Sequence, residues 1–167
     1  MRKNYIEYKG LKVTFFIQIG GEETRLEMAT LLCDLVLSKE GKANAAEVGG
    51  KALVGMLEGG YMASREAALK CLRQLSELES NGQVLAKAGV LGPLVKDLFV
   101  VGVNQLPMKL KEVSATILAN VVSSGVDLED VKVDGDGNTL ISEPILHNLL
   151  HLVCNTGPTI EAKLLQV

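Results

Sequence analysis

MATLLCDL (28–35), ALKCLRQL (68–75) and SATILANV (114–121) share one pattern, and that pattern decides the fold class. Aligned without gaps, each carries a small residue at its first or second position, Ala29, Ala68 and Ala115. Each then has Leu at the fifth position (Leu32, Leu72, Leu118) and Leu or Val at the eighth (Leu35, Leu75, Val121). Apolar residues three and four apart make one stripe on a helix. The copies start at residues 28, 68 and 114, a spacing of roughly 40 residues, which belongs to stacked helical repeats.

A second pattern follows each copy of the first. It reads EVGGKALVGML (47–57), KAGVLGPLVKDL (87–98) and ISEPILHNLLHLV (141–153). The apolar pairs Leu53/Val54, Leu94/Val95 and Ile145/Leu146 align, each followed by another Leu. The third unit is stretched between its two helices. Gly49 and Gly89 precede the second helix of their units and are expected to supply turns. Pro93 and Pro144 fall near the start of that helix, where a missing N–H is harmless, and Pro107 and Pro158 open the following helices in the same way. A helix with one apolar stripe cannot bury it alone, so stacked units share a continuous core. The expected fold is all-α, with a non-repeat segment over 1–20 and repeats over about 21–60, 61–105 and 106–157, and part of another over 158–167.

Composition agrees. Hydrophobic residues make up 47% of the 167 residues and aromatic residues only 4%, with no Trp, which suits a Leu/Val/Ala helical core more than a β-sandwich. The net charge of −3 gives no basic excess for nucleic acid. Three widely spaced cysteines, Cys33, Cys71 and Cys154, are no disulfide framework and point to a reduced, intracellular chain. The apolar run 13–19 follows Arg2, Lys3, Lys9 and Lys12. It is short, contains Gln18, has Glu7 upstream and lacks an A-x-A site, so a signal peptide is not expected.

KAGVLGPLVKDL (87–98) is close to the armadillo consensus, in which a small residue and Gly precede a Leu-rich helix. LPMKLKEVSATILANVVSSG (106–125), HNLLHLVCNTGPTIEAKLLQV (147–167) and REAALKCLRQL (65–75) resemble the armadillo region of plant U-box E3 ubiquitin ligases, in particular the senescence-associated U-box armadillo group. The resemblance spans roughly residues 20–167. It implies a right-handed superhelix that binds other proteins, substrates or adaptors, and a cytoplasmic location with peripheral association at the plasma membrane. No U-box is expected within these residues, so no ligase activity is expected of the chain alone. A membrane-associated adaptor, or a truncated fragment without independent activity that self-associates through an uncovered apolar end, are the alternatives; alone, the chain is expected to bind the same partners without ubiquitinating them, a dominant-negative role.

Candidate sites are few. His147, His151 and Cys154 lie at i, i+4 and i+7 on one helix face, a spacing that zinc can use. Asn148, not Glu, follows the first His, so the H-E-x-x-H protease pattern fails, and a polar stripe is the expected reading. The run Asp134-Gly-Asp136-Gly-Asn138 starts like a calcium loop, but Thr139 and Ile145 occupy the positions of the required Gly and Glu, which leaves a flexible acidic insertion. Gly41-Lys42 and Gly49-Gly50-Lys51 lack the spacing of a phosphate loop. Arg25, Arg65, Arg73, Lys109 and Lys111 read as solvated charges on polar faces. No catalytic, cofactor or metal residues are expected. Helix phase makes Lys96, Asp97, His147, Asn148 and His151 the candidate protein-contact positions.

Overall fold

The structure, a computed structural model, describes residues 2–35, 37–59, 61–103 and 105–167. The repeat boundary expected at residue 60 falls outside them. The described residues form helices α1 (Arg2–Ile19), α2 (Glu22–Asp34), α3 (Lys39–Glu58), α4 (Met62–Ser76), α5 (Asn81–Lys87), α6 (Leu91–Phe99), α7 (Met108–Ser123), α8 (Glu143–Asn155) and α9 (Pro158–Leu164). Extended pairing among them is confined to one isolated bridge, Lys132 with Thr139. The fold is all-α.

The first pattern becomes a file of neighbouring helices. α2 packs on α4, α4 on α7, and α7 on α9. Leu32, Leu72 and Leu118, the fifth residues of the three copies, are all 0% exposed. Each contributes roughly 1.5–3 kcal/mol of burial. The helices of the second pattern pack alongside, α3 against α4 and α5, α6 against α7, and α8 against α9. Leu53, Val54, Leu94, Val95 and Ile145 are buried as the alignment requires, whereas Leu146 is 43% exposed.

Local chemistry sets the helix ends. Ser38 caps α3, its hydroxyl oxygen accepting from the Gly41 N–H at 3.1 Å. Pro144 and Pro158 occupy the first turns of α8 and α9. Gly89 joins α5 to α6 at φ +89°, a left-handed conformation that an L side chain resists. Asn81, buried at the start of α5, ties three helices together. Its amide donates to the Lys42 carbonyl at 3.1 Å and to the Leu75 carbonyl at 3.0 Å.

Gly49 plays a different part from the turn expected of it. Gly49 and Gly50 lie buried inside the 20-residue helix α3. A Cβ on Gly49 would stand 2.5 Å from the Thr14 methyl of α1, and one on Gly50 would touch Leu85 and Ala88 of the α5 end. At Gly49 glycine is required by the close approach of Thr14 rather than by a bend, whereas a Cβ on Gly50 would make only ordinary contacts. Residues 2–19 accordingly form a full helix that packs on α2 and α3 through Gly10, Thr14 and Ile17, all buried.

Candidate functional site

A groove of about 1110 Å³ opens between α6, the start of α8 and the loop that carries residues 132–138. Lys96 of α6 and Asn148 of α8 line it and are exposed, and Asp97 also lines it. Three of the five expected contact positions therefore meet in one place. His147 and His151 are exposed on α8 but outside the groove lining.

Asp97 lies beneath the groove surface rather than at its rim. It is only 4% exposed and forms an ion pair with Arg65 of α4. The apolar stripe of α6 is wide, and Leu94, Val95 and Leu98 draw Asp97 in with them. Arg65, read as a solvated charge, is drawn into the same pair. Burial pushes the Asp97 carboxyl above the ordinary aspartate range, against the pull of the Arg65 guanidinium and the ammonium groups of Lys96 and Lys111. Two atoms of this pair are buried without a hydrogen-bond partner among the described residues, the acceptor Asp97 Oδ2 and the donor Arg65 Nε. Both atoms lie beneath the groove surface, closed off from solvent.

Lys111 also departs from the solvated reading. It is 7% exposed, and its ammonium donates to the carbonyls of Leu98 and Val100 at 3.2 and 2.8 Å. It closes the C-terminal end of α6, where unsatisfied carbonyls and the helix dipole favour a cation. Burial holds its pKa below that of an ordinary lysine, and Asp97 opposes this.

The acidic insertion is a tight turn with anchored ends. Asp134 Oδ1 accepts from the N–H groups of Asp136 and Asn138 at 3.1 and 2.8 Å, while Val133 and Leu140 are buried in the core. The Asn138 amide also donates to Asp134, and this bond leads the effects that hold the Asp134 pKa below the ordinary range. His147, His151 and Cys154 are exposed, and no metal-binding group of three or more His, Cys, Asp or Glu occurs among the described residues.

A second feature lies in the α2–α4 contact. The sulfurs of Cys33 and Cys71 stand 2.9 Å apart, and both thiols are free. The hydrogen bond with Cys71 and the nearby Lys70 ammonium lower the Cys33 pKa, against burial and Asp34. The Cys33 contact and burial raise that of Cys71.

α1 presents an apolar face outward. Tyr5 and Tyr8 are each 58% exposed, Phe15 51% and Ile19 59%. Lys9 and Lys12 sit over the Tyr5 and Tyr8 rings at 4.9 and 4.7 Å. No helix among the described residues is long and apolar enough to cross a membrane.

Known proteins give these features a setting. The chain is 49% identical over 148 residues to U-box domain-containing protein 44 of Arabidopsis thaliana and 47% identical over 148 residues to U-box domain-containing protein 43 of that species. It is 46% identical over 162 residues to U-box domain-containing protein 24 of Oryza sativa subsp. japonica. Each match takes in 89% of this chain, which spans only 18–19% of the length of these relatives. No family model matches, and no solved structure does. Over the matched region the chain is homologous to plant U-box domain-containing proteins.

Proposed function

We propose that this chain, homologous to one region of plant U-box domain-containing proteins, is an armadillo-type stack of repeats that recognises proteins for a U-box E3 ubiquitin ligase. The observation that carries the reading is the successive packing of α2, α4, α7 and α9, which places the equivalent stripes of roughly 40-residue units in one file. Repeats stacked in this way wind into a superhelix, right-handed for armadillo units, and hold rigid grooves open to solvent. The groove beside α6 supplies the recognition surface. Lys96 and Asn148 meet the partner at its rim, over a floor held in place by the buried Arg65–Asp97 ion pair. Ubiquitin transfer belongs to a U-box, and these 167 residues contribute substrate or adaptor binding.

The test is a pulldown from plant extract with this chain as bait, beside a variant with Lys96→Glu and Asn148→Arg. A partner captured by the wild type and lost by the variant, at equal helical content, supports the reading. A partner retained equally by both moves recognition away from the groove. Conjugate formation by the chain alone, supplied with activating and conjugating enzymes, overturns the non-catalytic assignment.

A second reading, a membrane-associated adaptor, draws on the outward face of α1. Exposed aromatic rings beside lysines suit the headgroup region of an anionic bilayer. Salt-sensitive co-sedimentation with anionic vesicles, lost on Phe15→Ser and Tyr8→Ser, tests it.

A further inference from the structure

We propose that Cys33 and Cys71 are a thiol pair that an oxidised glutathione pool converts to an intramolecular disulfide, clamping α2 to α4. The two residues lie in successive copies of the first pattern, on helices that are neighbours in the file. Small residues at the contact, Ala29, Ala67 and Ala68, are all buried and let the helix backbones approach closely. The approach is reciprocal. Cys71 Sγ donates to the Ala29 carbonyl at 3.0 Å, and Cys33 Sγ to the Ala67 carbonyl at 3.8 Å. Each thiol therefore reaches the backbone one turn before the other cysteine, which puts both on the facing stripes. With the sulfurs at 2.9 Å, a bond of about 2.05 Å needs under about 1 Å of further approach.

Access divides the roles. Cys33 is half-buried and Cys71 fully buried, so an oxidant from solvent meets Cys33 first. The contact with Cys71 favours the Cys33 thiolate, with a smaller contribution from the Lys70 ammonium, while burial and the Asp34 carboxylate oppose it. The Cys33 thiolate, its proton released to solvent, attacks one sulfur of glutathione disulfide. The S–S bond of that molecule breaks, and one glutathione leaves as thiolate. Cys71 then attacks Cys33 Sγ, and the second glutathione departs carrying the Cys71 proton. Two protein thiols are oxidised and one glutathione disulfide is reduced to two glutathiones. Cys154, exposed on α8 and away from this contact, has no such resolving partner within the pair and ends as a mixed disulfide.

The test takes the full chain, reduced and then exposed without air to glutathione disulfide over a range of ratios to glutathione. The Cys154→Ser background removes the third thiol. The expected product is about 2 Da lighter than the reduced chain. Tryptic digestion should join the peptide 26–39 to the peptide 71–73. The oxidised form should melt higher, by on the order of 10 °C. Cys71→Ala should stop at a stable glutathione adduct on Cys33. If that variant does not fold, the mass of the Cys154→Ser protein decides alone. A chain that stays dithiol, or holds glutathione on Cys33 with Cys71 still free to alkylate after denaturation, overturns the proposal.

Discussion

Arg65 on α4 and Asp97 on α6 form an ion pair whose carboxylate is buried to 4% exposure and whose guanidinium is drawn in behind it. Desolvation outweighs attraction at Asp97, because its pKa stands above the ordinary value even with Arg65 in contact. The pair therefore ties two helices of one repeat, α4 and α6, at some cost. Removing only one partner exposes that cost.

Arg65→Met leaves Asp97 buried without its counter-ion and should destabilise the fold by about 3 kcal/mol. Asp97→Asn removes the buried charge and should cost less. The pH dependence has a definite sign. Between the ordinary aspartate value and the raised one, the folded chain holds a proton that the unfolded chain releases. Stability from this group is thus greatest at low pH and falls as pH rises through that interval. Urea unfolding of wild type and Asp97→Asn from pH 4 upward should show the wild type losing ground to the variant as pH rises, then a constant difference. A constant difference throughout would show that Asp97 is ionised across the range.

Lys111 is the only donor from a side chain to the carbonyls of Leu98 and Val100 among the described residues. Lys111→Met preserves most of the buried stem and removes the ammonium. Both acceptors lose that donor, at roughly 1–3 kcal/mol. Thermal unfolding measures this, and amide exchange should show the faster opening at the C-terminal turn of α6, where Val100 N–H meets Lys96 O at 3.0 Å. Lys109, two residues before Lys111 and exposed, serves as the control, and Lys109→Met should leave stability unchanged.

The helices were legible because their apolar positions recur. Leu32, Leu72 and Leu118 occupy the same place in three copies of one pattern and all are fully buried, so periodicity alone located the α2–α4–α7 file. α1 was hidden because its buried stripe consists of Gly10, Thr14 and Ile17, two of them not apolar side chains at all. Gly49 looked like a turn for the same reason. What makes a glycine necessary there is Thr14, on a helix that no pattern announced. At the groove, helix phase found Lys96 and Asn148. It missed Arg65, because a partner 32 residues away on another helix leaves no mark in local sequence.

Exposed leucines on α8 and beyond make self-association measurable. Leu150 is 63% exposed and Leu165 68%, with Leu146 at 43%. Large apolar side chains exposed in this way favour contact between copies as concentration rises. Sedimentation velocity should show a concentration-dependent rise in mass for the wild type. Leu150→Lys with Leu165→Lys should reduce it at unchanged helical content. Equal association in both would place the contact on another surface, the outward face of α1 being the next to vary.

Gly49 and Thr14 offer the sharpest test of how α1 is held. In an isolated helix Gly→Ala gains about 1 kcal/mol. Here the new methyl meets the Thr14 Cγ2 methyl at 2.5 Å. Thr14 cannot easily turn away, because it is β-branched and its hydroxyl donates to the Gly10 carbonyl one turn back. Gly49→Ala should therefore destabilise by about 1–3 kcal/mol despite its better propensity. Thr14→Ser deletes the opposing methyl and keeps the hydroxyl. The double variant should recover most of the loss, with a coupling of at least about 1 kcal/mol in a double-mutant cycle. A Gly49→Ala protein more stable than wild type would mean that α1 does not seat on α3 at this point. A loss that Thr14→Ser fails to relieve would mean that the crowding comes from another neighbour.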